Sequence, residues 1–190
     1  MMRITFLLLS LFIIGCNSSK ESQFKQWEEL EFRVDENYLS TAISDSTLGI
    51  SFRPIEGFSK ILSPIQSLET SEADFVKIHH LFKDDSTQSI MSVSSIANMP
   101  DSLIFGLIEN PDNYFNQDGI YNQAMATSFS FDNFKVVQLL LSNDAVVNFK
   151  LFFVEGGREK FQLDYIFQRQ EYIDFPKALE SSIGSTKSIL

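Results

Sequence analysis

An α+β fold, an antiparallel β-sheet flanked by helices, is the expectation from three features of the 190-residue sequence. Four β-rich runs fill the C-terminal half, at residues 128–131, 135–141, 146–154 and 160–167, with only short turn formers between them. A helical stripe follows near the C-terminus, and a second lies upstream at residues 70–83. Apolar residues make up 44% of the chain, with 19 Phe, 5 Tyr and 1 Trp, enough for one buried core and far too aromatic for a disordered acidic chain. Fifteen basic residues against 25 acidic ones give a net charge of −10, which argues against nucleic acid as a partner.

Taken in order, the chain opens with Arg3 and an apolar run over residues 4–14. Eleven residues are too few to cross about 30 Å of hydrocarbon as a helix, so residues 1–15 read as a signal peptide. The run closes on Ile13-Ile14-Gly15-Cys16, which resembles the lipobox of bacterial lipoproteins. That resemblance implies diacylglycerol and palmitate-type acyl chains on the Cys16 thiol, with cleavage between Gly15 and Cys16. Each buried CH₂ of such chains contributes about 0.8 kcal/mol, so the implied partner is a membrane held through a lasting lipid anchor. Cys16 is the sole cysteine, which leaves no intramolecular disulfide and no free catalytic thiol. By analogy with enteric lipoproteins, Asn17 in place of Asp points to the outer membrane of a bacterial envelope. Ser18-Ser19-Lys20-Glu21 has one acid where surface-export signals of Bacteroidota lipoproteins carry a cluster, which favours the periplasmic side.

Residues 16–37 are then expected to be the lipidated cysteine and its tether, and residues 38–190 the folded domain. Two strand-like runs flank Asp45-Ser46-Thr47, predicting a hairpin that ends at Pro54. Thr70-Ser71-Glu72-Ala73-Asp74 has the hydroxyls and acids of a helix start, and Phe75, Ile78 and Phe82 follow at helical spacing. Residues 89–94 alternate as a strand, and residues 101–116 predict one or two short helices broken at Pro111. After the four C-terminal strands, in which Phe161, Leu163, Tyr165 and Phe167 share a face, Asp174 is expected to cap a last helix with Pro176 in its first turn. Phe175, Leu179, Ser182 and Ile183 form that helix's inward stripe.

Both ends of this domain carry a second resemblance. Leu48-Gly49-Ile50-Ser51-Phe52-Arg53-Pro54-Ile55-Glu56-Gly57-Phe58 is similar to the entry hairpin of PsbP-like domains. Tyr165-Ile166-Phe167, Tyr172 and Ala178-Leu179-Glu180-Ser181-Ser182-Ile183-Gly184-Ser185 look like their last strand and closing helix. The resemblance implies an α/β/α sandwich. Its members include extrinsic photosystem subunits, a Ran-binding protein and many bacterial lipoproteins, which implies scaffold or binding duties rather than chemistry.

Motifs of catalysis are scarce. His79 and His80 are the only histidines. On the expected helix they diverge by about 100° and cannot chelate one ion as an i, i+4 pair would, so they read as surface or boundary residues. No Gly-x-Ser-x-Gly or His-Glu-x-x-His motif occurs. Asn116-Gln117-Asp118-Gly119 lacks the flanking carboxylates of a calcium loop and reads as a turn, and Glu155-Gly156-Gly157-Arg158 reads as a hairpin tip. Asp84-Asp85 and Glu28-Glu29 read as solvated acids. The expectation is therefore a non-enzymatic envelope protein without metal or cofactor, binding or assembling with an unidentified envelope protein. The alternative is a periplasmic carrier of a small apolar ligand or lipid, suggested by the abundance of Phe.

Overall fold

The computed structural model describes residues 27–61, 75–114, 120–172 and 175–190. Gly15, Cys16, the helix start at residues 70–74, the Asn116-to-Gly119 turn and the Asp174 cap lie outside them. Among the described residues eleven strands and two α-helices run in the order β1 (Glu28–Glu29), β2 (Ile43–Asp45), β3 (Ile50–Phe52), β4 (Ser59–Lys60), β5 (Lys77–Lys83), β6 (Ile90–Ser95), α1 (Asp101–Glu109), β7 (Gln123–Phe131), β8 (Phe134–Ser142), β9 (Val146–Glu155), β10 (Phe161–Gln168), α2 (Pro176–Gly184) and β11 (Lys187–Ser188).

Eight strands form one sheet in the order β1-β7-β8-β9-β10-β6-β5-β4, and β11-β3-β2 form a second, small one. The expected four-strand meander is β7 to β10, each strand antiparallel to the next. β10 then pairs with β6 from Phe161 opposite Ser95 to Ile166 opposite Ile90, which brings the β5–β6 hairpin into the same sheet. Alternation along the strands gives the large sheet two apolar faces. Val147, Phe149, Leu151 and Phe153 of β9 and Phe161, Leu163, Tyr165 and Phe167 of β10 point to one face, covered by α2 and the small sheet. Val137, Leu139 and Leu141 of β8 and Phe152 of β9 point to the other, covered by Ile104 and Leu107 of α1. The molecule is accordingly α+β but richer in sheet than the sandwich expected, because a three-stranded sheet shares one covering layer with a single nine-residue helix.

The helix expected to run to Lys83 is a correction: Lys77–Lys83 is strand β5. Ile78 and Phe82 satisfy a spacing of four, but Ile78, His80 and Phe82 also satisfy alternation, and short apolar segments leave the choice to tertiary pairing. The Asp84 carboxylate accepts from Ser86 N–H at 2.8 Å and from the Thr87 hydroxyl at 3.0 Å, forming the tight turn that folds β5 back on β6.

Residues 27–37, expected as the end of the tether, pack on the sheet. β1 runs parallel to β7, and the Phe32 ring meets Phe129 and Phe131 at 5.8 and 4.8 Å. At the C-terminal end, Phe175 occupies the N-cap position of α2 without a side-chain cap, and Pro176 takes its first turn. Leu179, Ser182 and Ile183 are buried as the stripe requires. Ser182 Oγ lies 2.9 Å from the fully buried Tyr165 hydroxyl and donates to Arg53 O at 2.7 Å, tying α2 to β10 and to the chain after β3.

The Glu155-to-Arg158 segment is the tip between β9 and β10, and it needs its glycine. Gly156 has φ +103°, and a Cβ there would lie 2.7 Å from Asn133 O and against the Phe134 ring. Gly156→Ala is expected to lower the unfolding free energy by about 2–4 kcal/mol, from left-handed strain plus overlap with backbone, read by urea titration.

Candidate functional site

The two histidines and Asp45 come together where the small sheet meets the large one. Asp45 ends β2, and its Oδ1 accepts from the backbone N–H groups of Thr47 at 2.9 Å and Leu48 at 3.0 Å, closing the β2–β3 turn. The other oxygen, Oδ2, lies 2.9 Å from His79 Nδ1 and 3.0 Å from His80 Nε2. Adjacent residues of a regular strand face opposite ways. Here the β5–β6 register shifts between Ile78 and His80, leaving His79 as an extra residue, and such a bulge turns consecutive side chains to one side. The expectation of divergent boundary histidines is therefore corrected: the element is a strand, and its irregularity makes the rings converge.

An ionised carboxylate only accepts, so each ring donates the proton on the nitrogen facing Asp45. In a neutral ring this fixes the tautomer, with the lone pair at His79 Nε2 or His80 Nδ1. Both of those atoms are buried without a hydrogen-bond partner. Burial raises the Asp45 pKa, but the bonds from Leu48 N–H and the two imidazoles outweigh it and bring the carboxyl down to about 2. For His80, burial is the largest influence and lowers its pKa below the ordinary 6.5, outweighing the Asp45 bond, with nearby Lys60 acting in the same direction as burial. Among the described residues no group of three or more His, Cys, Asp or Glu is placed to hold a metal ion.

Beside this cluster lie two grooves. One, of about 440 Å³ and open to solvent, is lined by Ser46, Thr47, Arg158 and Glu159. The other, of about 360 Å³, shares Thr47 and Glu159 with it and is also lined by Lys77, His79, Ser95 and Asn98. They exist because the β9–β10 tip docks on the β2–β3 turn: Arg158 N–H donates to Leu48 O at 2.7 Å, and Gly49, at φ +72°, lets the backbones approach. Many of the described Phe side chains pack ring on ring in the core, as Phe153 does on Phe161 at 4.2 Å and Phe134 on Phe153 at 5.3 Å, while Phe75 is part of the lining of the second groove. Asp84 serves a turn, and Glu28 and Glu29 lie exposed on β1, away from these grooves.

Sequence reasoning identified Asp45 only as a turn former. A carboxylate at the head of a turn was legible, whereas its histidine partners, 34 and 35 residues away, were not.

No family model and no curated protein matches the chain. Among solved structures it is similar to the solution structure of cyanobacterial PsbP (CyanoP) from Synechocystis sp. PCC 6803, with a TM-score of 0.55 and 13% sequence identity, over 80% of this chain and 93% of that one. The chain therefore has a PsbP-like fold. At this identity the likeness speaks for the fold alone.

Asp45→Ala would strand two backbone N–H donors and two imidazole donors, and is expected to cost about 2–4 kcal/mol in urea titrations at neutral pH. Asp45→Asn, which keeps an acceptor for the turn, is expected to cost less. Because the folded-state pKa of Asp45 lies below its unfolded 3.8, its stabilisation is present above pH 3.8 and disappears as pH falls to about 2. Wild type should lose on the order of 2 kcal/mol across that window that Asp45→Asn does not lose.

Proposed function

We propose that this chain is a lipid-anchored bacterial envelope protein whose PsbP-like domain is a non-enzymatic binding or assembly module for an envelope protein. The observation that carries the anchor is the motif Ile13-Ile14-Gly15-Cys16 at the end of a short apolar run, holding the chain's sole cysteine. What supports a binding role is the PsbP-like fold together with two adjoining open grooves of mixed polar and apolar lining and an imidazole pair whose free nitrogens are sealed from solvent. A general base needs an atom within reach of its substrate, and neither free imidazole nitrogen offers one. In this reading Cys16 holds the domain at the outer membrane facing the periplasm, and the Thr47, Arg158 and Glu159 face meets the partner.

Expression of the full chain in a bacterial host with an alkyne-tagged palmitate is expected to label the protein, and Cys16→Ser to abolish label and membrane attachment together. An unlabelled wild-type chain would remove the anchor from this reading. Cross-linking and affinity capture from the native envelope should recover one reproducible protein partner. Arg158→Glu, which removes the groove's positive charge beside Glu159 and leaves the backbone bond to Leu48 O in place, should reduce that recovery at least about tenfold, as expected for a central interface arginine.

A further inference from the structure

One oxygen atom, Asp45 Oδ2, joins the turn of the small sheet to strand β5 of the large one through His79 Nδ1 at 2.9 Å and His80 Nε2 at 3.0 Å. The participants are nearly sealed, the imidazoles 12% exposed and the carboxylate 9%. His79 Nε2 and His80 Nδ1 are buried with no partner. While the rings are neutral these atoms carry lone pairs. A proton added to His80 Nδ1 creates a buried, charged N–H with nothing to accept it, which the folded interior disfavours and water does not.

We propose that Asp45, His79 and His80 form a pH-sensitive latch: while His80 is neutral the cluster pins the turn after β2 to β5, and proton uptake by His80 in mildly acidic conditions releases that turn. The surroundings favour this direction. The Phe52 ring from β3 and the Phe82 ring from β5 flank His80 at 5.4 and 6.3 Å, offering an apolar contact and no acceptor. Lys60 of β4 repels a charge on His80, while Lys77 and Glu159, of opposite sign, both line the groove beside His79. Asp45 attracts an imidazolium, but burial outweighs it at His80, which therefore takes a proton more readily once hydrated. By linkage, lowering the pH favours the open turn.

The release is local. β3 stays paired with β11 through Ser51 and Lys187, and Leu48 O stays bonded to Arg158 N–H. What comes free is the segment carrying Ser46 and Thr47, and Thr47 is a wall of both grooves, so the latch sets their shape without depending on which partner they meet.

The test is amide hydrogen exchange of the full chain in detergent at about pH 7.5 and about pH 5.5, corrected for intrinsic exchange. Protection over residues 43–48 is expected to fall by up to about tenfold per pH unit for one proton taken up, while β8 and β9 keep theirs. In the double variant His79→Asn, His80→Gln, whose amides donate from the positions of Nδ1 and Nε2 but do not titrate, the pH response should vanish. Equal wild-type protection at both pH values, or a full response in the double variant, would overturn the proposal. Should that variant not fold, the wild-type imidazoles are titrated by NMR. A His80 midpoint below 6.5 with the Thr47 and Leu48 amides moving at the same midpoint supports the latch, and a higher midpoint, or amides that do not follow, overturns it.

Discussion

The Asp45 carboxylate accepts four hydrogen bonds, two from backbone N–H groups of its own turn and two from imidazoles on a distant strand. A buried carboxylate is tolerated only when its charge is met by donors, so the site demands that turn and strand arrive together. Much else follows from that meeting. The β2–β3 turn is set against β5, the β9–β10 tip docks on the same turn at Leu48, and the grooves are the space left between these loops. The constraint is directional in a way that apolar packing is not, because two ring nitrogens must approach a single oxygen.

Beneath the loops lies a platform held by different physics. The large sheet buries both faces, and on the face toward α2 the rings of Phe131, Phe134, Phe153 and Phe161 contact one another at 4.2 to 6.1 Å. Such packing contributes through area and close contact, and it keeps the strands rigid. Tyr165 carries the same core up to α2, where Ser182 passes its hydrogen bond on to the Arg53 carbonyl. The Arg53 side chain in turn donates to Ser40 O at 2.8 Å and pairs with Glu36, fastening the chain before the hairpin. In the proposed binding role, contacts with a partner would fall on the loops this sheet carries.

The legibility of the elements divides along physical lines. The meander is legible because each of its strands is rich in β-formers and set off by turn formers such as Asp132-Asn133 and Ser142-Asn143-Asp144, although of β7 only residues 128–131 read as strand. α2 was readable from Pro176 and the Leu179, Ser182, Ile183 stripe, and the β2–β3 hairpin from Asp45-Ser46-Thr47. Residues 77–83 are ambiguous, because seven residues with Ile78 and Phe82 four apart fit helix and strand alike. Strand pairing decides between them: β5 pairs with β6 at six positions and with β4 at Phe82 and Lys83. The small sheet was half legible: its hairpin is local, while β11 joins it from the far end of the chain.

Local sequence alone settles those properties that arise within a few residues: the short apolar run before Cys16, the acidic balance, the β-rich runs of the meander and the turns between them. Each rests on hydropathy period or backbone preference, which neighbouring residues suffice to express. The meeting of Asp45 with His79 and His80 belongs to tertiary structure, because it requires a sheet to form, a bulge to turn two adjacent rings one way and a turn 34 residues upstream to dock against them. A spacing in sequence carries no information about a bulge, and the chemistry of this protein's most constrained polar cluster depends on one.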